Sequence, residues 1–116
     1  MMDEAEIKRL LLNCWSGRTS SLWTPENPAR GQCGVTALVI QNYFRGEIMK
    51  TRLPDGRWHF YNRIGGRRYD FTASQFDFSI DYSDEISSLD EALADTNDEQ
   101  FSHLSSAFRR LIENQP

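Results

Sequence analysis

Apolar residues recur at Ile7, Leu10, Leu11 and Cys14, the i, i+3, i+4, i+7 spacing of one helix face. Asp3 with Glu6 forms a capping box ahead of them, so the pattern predicts a helix over 4–14. From Val35 to Phe44 the run VTALVIQNYF is apolar nearly all round, as in a helix buried at the centre of a domain. A strand competes for its first six residues. The polar Gln41-Asn42 pair and the Gly46 stop favour a helix over 33–45. Three strand patterns follow. Residues 47–53 alternate, Pro54-Asp55-Gly56 makes a turn, and 57–63 (RWHFYNR) is rich in aromatics. Gly65-Gly66 signals a hairpin with 67–72 as its return strand. The segment 77–86 reads as irregular, with room for one edge strand. Ser88 with Glu91 opens a short helix to about Asp95. Thr96 or Asn97 caps a last helix whose stripe is Phe101, Leu104, Phe108, Leu111 and Ile112.

The stretch 15–31 (WSGRTSSLWTPENPARG) has no periodicity, yet it holds Trp15, Leu22 and Trp23. Structureless stretches of this length are uncommon inside compact domains unless functional or disordered. Two tryptophans argue against disorder, so an ordered loop is expected, with Trp15 and Trp23 bordering a cleft at the start of the second helix.

Composition narrows the class. The chain has 116 residues, 39% hydrophobic and 26% charged, which suits one globular α+β domain spanning 1–116. Its acidic N-terminus shows no signal peptide and no apolar run is long enough for a membrane span, so a cytoplasmic protein without a membrane partner is expected. The net charge of −4 argues against nucleic acid. It is unevenly spread: residues 1–76 are net +4 and 77–116 net −8. Two cysteines and two histidines at these spacings make no recognisable zinc set, and no cofactor is implied.

Cys33 follows a Gly-containing loop and begins a buried helix. The unpaired N–H groups there favour thiolate over thiol, which suits a nucleophile; a buried structural cysteine is the alternative. A nucleophile needs a base. His103 falls off the stripe of the last helix and reads as a surface residue, whereas His59 lies mid-strand among aromatics. With Gly65-Gly66 as a two-residue turn, 64 pairs with 67, 61 with 70 and 59 with 72. His59, Tyr61, Arg63, Arg68 and Asp70 then share one face, because faces alternate along each strand. Asp70, not Asn62, becomes the diagonal neighbour that orients His59. An ion pair of Asp70 with Arg63 or Arg68 is the competing reading.

Cys at a helix start, His on a later strand and Asp on the next is an order found in papain-like and transglutaminase-like enzymes. In the papain motif a glutamine six residues before the nucleophile donates to the oxyanion. Here that position holds Asn27, also a carboxamide, with Gln32 as the rival donor and the Cys33 N–H as the second.

A closer likeness is carried by the words Trp15-Ser16, Ser21-Leu22-Trp23-Thr24-Pro25-Glu26-Asn27-Pro28 and Gly31-Gln32-Cys33-Gly34-Val35-Thr36-Ala37-Leu38-Val39. It continues in Gly46-Glu47-Ile48, His59-Phe60-Tyr61-Asn62-Arg63 and Asp70-Phe71-Thr72. Over about 15–112 the chain resembles the YunG-like family of small bacterial proteins.

Together these readings give a minimal papain-like α+β domain: a central helix on a small antiparallel sheet, with flanking helices. The function expected is thiol-dependent hydrolysis or acyl transfer on a peptide, isopeptide, amide or ester bond, or deamidation. Cys33, His59 and Asp70 carry it, Asn27 or Gln32 supports the oxyanion, and Trp15, Trp23, Tyr61 and Arg63 wall the cleft for a small-molecule or peptide substrate. A non-catalytic module that binds a peptide or small anion is the alternative.

Overall fold

Eight consecutive residues of the second helix, Cys33 to Ile40, are buried, and the rest of the chain is arranged around them. The computed structural model describes residues 2–115. Helix α1 (Glu4–Leu12) is followed by the loop to α2 (Cys33–Phe44), then strands β1 (Glu47–Arg52), β2 (Trp58–Ile64) and β3 (Arg67–Tyr69). A 3-10 turn (Ala73–Gln75), the short strand β4 (Glu85–Ile86) and helices α3 (Leu89–Ala94) and α4 (Asp98–Glu113) complete it. The strands form one antiparallel sheet in the order β3-β2-β1-β4.

Helix α2 separates two apolar clusters. Val35, Val39 and Ile40 pack with Ile7, Leu11, Trp15, Leu104 and Phe108. Ala37 and Leu38 pack with Ile48 and Phe60 of the sheet and Ala92 of α3. A helix covered on both sides must be apolar nearly all round, as its sequence is. The amphipathic α1 and α4 each bury one stripe. The starts of α1, α3 and α4 follow local chemistry: Asp3, Ser88 and Asn97 accept N–H bonds from Glu6, Glu91 and Gln100. Asn97, rather than Thr96, is the cap of α4.

The β2–β3 hairpin turns on Gly65 and Gly66, at φ 58° and 80°. Both central residues of this turn need positive φ, which glycine adopts at least cost. The register is Ile64 opposite Arg67, Arg63 opposite Arg68 and Asn62 opposite Tyr69.

Two expected ends move by two residues or more. Helix α1 stops at Leu12 rather than 14, because the Cys14 and Trp15 N–H groups both turn back to the Leu11 carbonyl. Strand β3 stops at Tyr69 rather than 72. There the Asp70 side chain accepts from the Thr72 N–H at 3.3 Å, and Lys8 Nζ takes the Phe71 carbonyl at 2.6 Å, so the ladder loses its partners to side chains. The loop 15–31 is a succession of turns held by side-chain bonds, among them Ser20 Oγ to the Arg30 carbonyl at 3.0 Å. Among the described residues no helix is long and apolar enough to cross a membrane.

Candidate functional site

The head of α2 lacks a cap of its own: Gln32, at the capping position, makes no side-chain bond to the helix. A residue 61 positions away supplies one. Asp95 Oδ2 accepts the Gly34 N–H at 3.1 Å and the Cys33 thiol at 3.5 Å. The approach is close enough that a Cβ on Gly34 would fall 2.5 Å from Asp95 Oδ2. The expected thiolate-favouring helix end is therefore occupied by a carboxylate. Burial first, then the Asp95 charge, push the Cys33 thiol well above its ordinary range, opposed by the Phe60 backbone N–H. This arrangement, with the Cys33 thiol placed to donate to Asp95, favours the thiol over the thiolate expected from position alone. Burial also raises the Asp95 carboxyl, against the two hydrogen bonds it accepts.

His59 is fully buried on β2. Its Nε2 lies 2.7 Å from Asp70 Oδ2. An ionised carboxylate only accepts, so Nε2 is the donor and Nδ1 carries the lone pair when the ring is neutral. That Nδ1 is buried and unpartnered. Asp70 is held in turn: Tyr82 Oη donates to Oδ2 at 2.6 Å, and the Thr72 N–H and hydroxyl donate to Oδ1. The imidazole lies edge-on to Phe76 and stacks on Tyr61, with centroids 5.1 and 5.9 Å away. Asn62 points to the other face, donating to the Ala37 carbonyl at 3.0 Å.

Cys33 and His59 open onto one cleft of about 430 Å³, walled by Leu22, Trp58, Phe60 and Phe76 with Gln75 and Asp95 among its polar groups. The family described as YunG protein matches residues 3–113. This chain belongs to the YunG family. It is also 55% identical over 104 residues, 90% of each chain, to the Bacillus subtilis (strain 168) protein named "Uncharacterized protein YunG". No solved structure matches it.

Within this YunG-family chain the residues expected at the site divide sharply. Cys33 and His59 share the cleft, and Asp70 stands behind His59. Gln32 is fully buried next to Cys33 in the chain; its Oε1 accepts from the Thr19 hydroxyl at 2.9 Å, and its Nε2 has no partner among the described residues. Asn27 is engaged elsewhere, one N–H of its amide donating to the Gln75 carbonyl at 3.0 Å, so of the two candidate donors Gln32 is the one whose amide nitrogen has no partner among the described residues.

The four expected cleft walls are corrected. Trp15 is buried in the larger core, its indole donating to Thr36 Oγ1 at 3.0 Å. Trp23 packs half-buried against the same core. Tyr61 shares the His59 face but is covered by the 77–86 segment, its hydroxyl donating to Asp84 at 2.8 Å. Arg63 pairs with Glu47 at 2.9 Å. None of the four lines the cleft. Asp95, Gln75, Phe76 and Tyr82 escaped sequence reasoning. The periodicity places Trp15 correctly in hindsight, since 7, 10, 11, 14 and 15 continue one helical stripe past the helix end. Asp95 carries no such signal, being one of ten acidic residues after position 76.

Proposed function

We propose that this cleft performs thiol-dependent acyl transfer, as a hydrolase or acyltransferase on a peptide, isopeptide, amide or ester bond or as a deamidase, with a minimal papain-like arrangement. The observation that carries the reading is the state of His59. One ring nitrogen is held by a buried carboxylate, and the other is free and buried beside the cleft that also receives the thiol at the head of the central helix. A base needs that division of roles, with one nitrogen oriented and the other available.

In the reaction the Cys33 thiol turns from Asp95 to His59 Nδ1 and gives up its proton. The thiolate attacks the substrate carbonyl. The resulting oxyanion is held by the Cys33 N–H and by Gln32 Nε2, which has no partner among the described residues. His59 then protonates the leaving amine or alcohol, which leaves a thioester on Cys33. Water, deprotonated by His59, releases the acid and restores the thiol. Asp70 stabilises the imidazolium formed in each half.

The hydrogen bond of Cys33 to Asp95 supports a second reading, in which the thiol is structural and the cleft only binds a peptide or small anion. Time-resolved labelling with iodoacetamide, mapped by mass spectrometry, separates the two. The enzyme reading expects Cys33 to react faster than Cys14 and to slow by about 100-fold or more in His59→Ala. Equal, slow labelling of both cysteines, indifferent to His59→Ala, overturns it.

A further inference from the structure

Charge in the cleft is unbalanced. Besides His59, three ionisable side chains with ordinary charges line it: Arg57, Glu91 and Asp95. Arg57 is matched by Asp55 at 2.7 Å and Glu91 by Lys50 at 2.7 Å. Lys50 and Arg52 lie over the Trp58 ring, outside the cleft lining. His59 is committed to Asp70. Asp95 forms no ion pair among the described residues. Its hydrogen bonds come from neutral donors, the Cys33 thiol and the Gly34 N–H. Arg57 and His59 favour its ionised form only from beyond ion-pair distance; a partly desolvated carboxylate with no close countercharge is costly, and this one sits against the atom that meets the ligand. An independent feature marks the same opening as a place for a ligand: the fully buried His59 lines it with its Nδ1 unpartnered.

We infer that Asp95 selects charge at this site, and that the ligand carries a cationic amine or guanidinium group that comes to rest against the Asp95 carboxylate beside the group offered to Cys33. The cation supplies the close countercharge that Asp95 lacks. In drawing the carboxylate towards itself it also frees the thiol from its hydrogen bond. The inference rests on the reading above in taking Cys33 as the reacting atom, but it concerns charge rather than activation.

Two methanethiosulfonates of similar size test it: the (trimethylammonio)ethyl and the sulfonatoethyl reagents. Each reacts in the same way. The Cys33 thiolate attacks the sulfenyl sulfur, a mixed disulfide forms and methanesulfinate leaves. Because both consume the same thiolate, the ratio of their rates cancels any change in thiol acidity. For the wild-type protein the cation-to-anion ratio at Cys33, relative to the uncharged N-acetylcysteinamide, should be about tenfold, the scale of a unit charge a few ångströms away in a partly hydrated site. Asp95→Asn, which keeps an oxygen for the Gly34 N–H, should bring the ratio close to that of N-acetylcysteinamide. Glu91→Gln should leave it within about twofold, its charge being matched already. High salt should lower the wild-type ratio, a measurement that needs no variant. A wild-type ratio no greater than that of N-acetylcysteinamide, or one undiminished in Asp95→Asn, overturns the inference. Failure of the catalytic reading shows separately, as iodoacetamide labelling indifferent to His59→Ala, since these reagents also modify unactivated thiols.

Discussion

The two halves of the cleft are built by different rules. On the His59 side the partners are eleven residues apart on one hairpin, both side chains are nearly or fully buried, and Asp70 accepts from three further donor groups. On the Cys33 side the partners are 62 residues apart, and Asp95, at the end of a short helix, is partly exposed while its carboxylate is partly desolvated against Cys33 and Gly34. One carboxylate is locked into the structure; the other is held by two neutral donors and can be displaced. A buried carboxylate with a cationic or hydrogen-bonding partner orients that partner, whereas a partly exposed one beside a thiol is still open to a ligand.

The comparison is broken most directly by deleting each carboxylate. Asp70→Ala strands the His59 and Tyr82 donors in the interior. It should cost about 3–5 kcal/mol in urea unfolding and reduce Cys33 labelling with the His59→Ala variant. A loss below about 1 kcal/mol would show that the His59 side is not locked. Gly34→Ala attacks the other side by steric means. The new Cβ would press on the Asp95 side chain and, at 2.9 Å, on the Ala92 carbonyl, which should cost about 1–3 kcal/mol while pushing Asp95 away from the thiol. Its iodoacetamide pH profile should therefore move to lower pH, and an unmoved profile would mean that the contact does not govern Cys33.

Tyr82→Phe removes one donor of several from Asp70. A stability loss of about 1–2 kcal/mol is expected, with Cys33 labelling slowed less than in Asp70→Ala; an equal loss would make Tyr82 as important as the histidine's own bond. Asp95→Ala should be the mildest, about 1 kcal/mol, the worth of a helix cap. Its clearer signature is in acidity. Asp95 and burial both hold the thiol proton, so removing the charge lowers the pH at which Cys33 ionises, while the burial that remains keeps it above the ordinary thiol value of 9.0. A shift to higher pH would contradict the assigned cause.

Cys14 offers a check from outside the cleft. It is buried after α1 with its thiol raised to about 11 by burial alone, and it is not bridged to Cys33. No Asp95 substitution should alter its labelling.

How far the site could be read in advance follows the same division. The apolar spacing of α1 and α4, the all-round apolar α2, the capping residues and the Gly65-Gly66 turn were each legible over a few residues, because helices and hairpins are set by local periodicity and backbone sterics. The His59–Asp70 contact was legible too, since a two-residue turn sets the register and a period of two sets the face. The position of Cys33 at the head of a buried helix followed in the same way. What the tertiary structure decided was which side chains face the cleft. Trp15 and Trp23 turn to the core between α1, α2 and α4, Tyr61 is roofed by the 77–86 segment, and Asn27 is spent on a backbone carbonyl. Asp95 reaches the thiol only because α3 packs Ala92 against α2. Composition records how many aromatics and carboxylates a chain holds. Which of them meet depends on long-range packing, where a contact is chosen by the shape of two surfaces that share no local pattern.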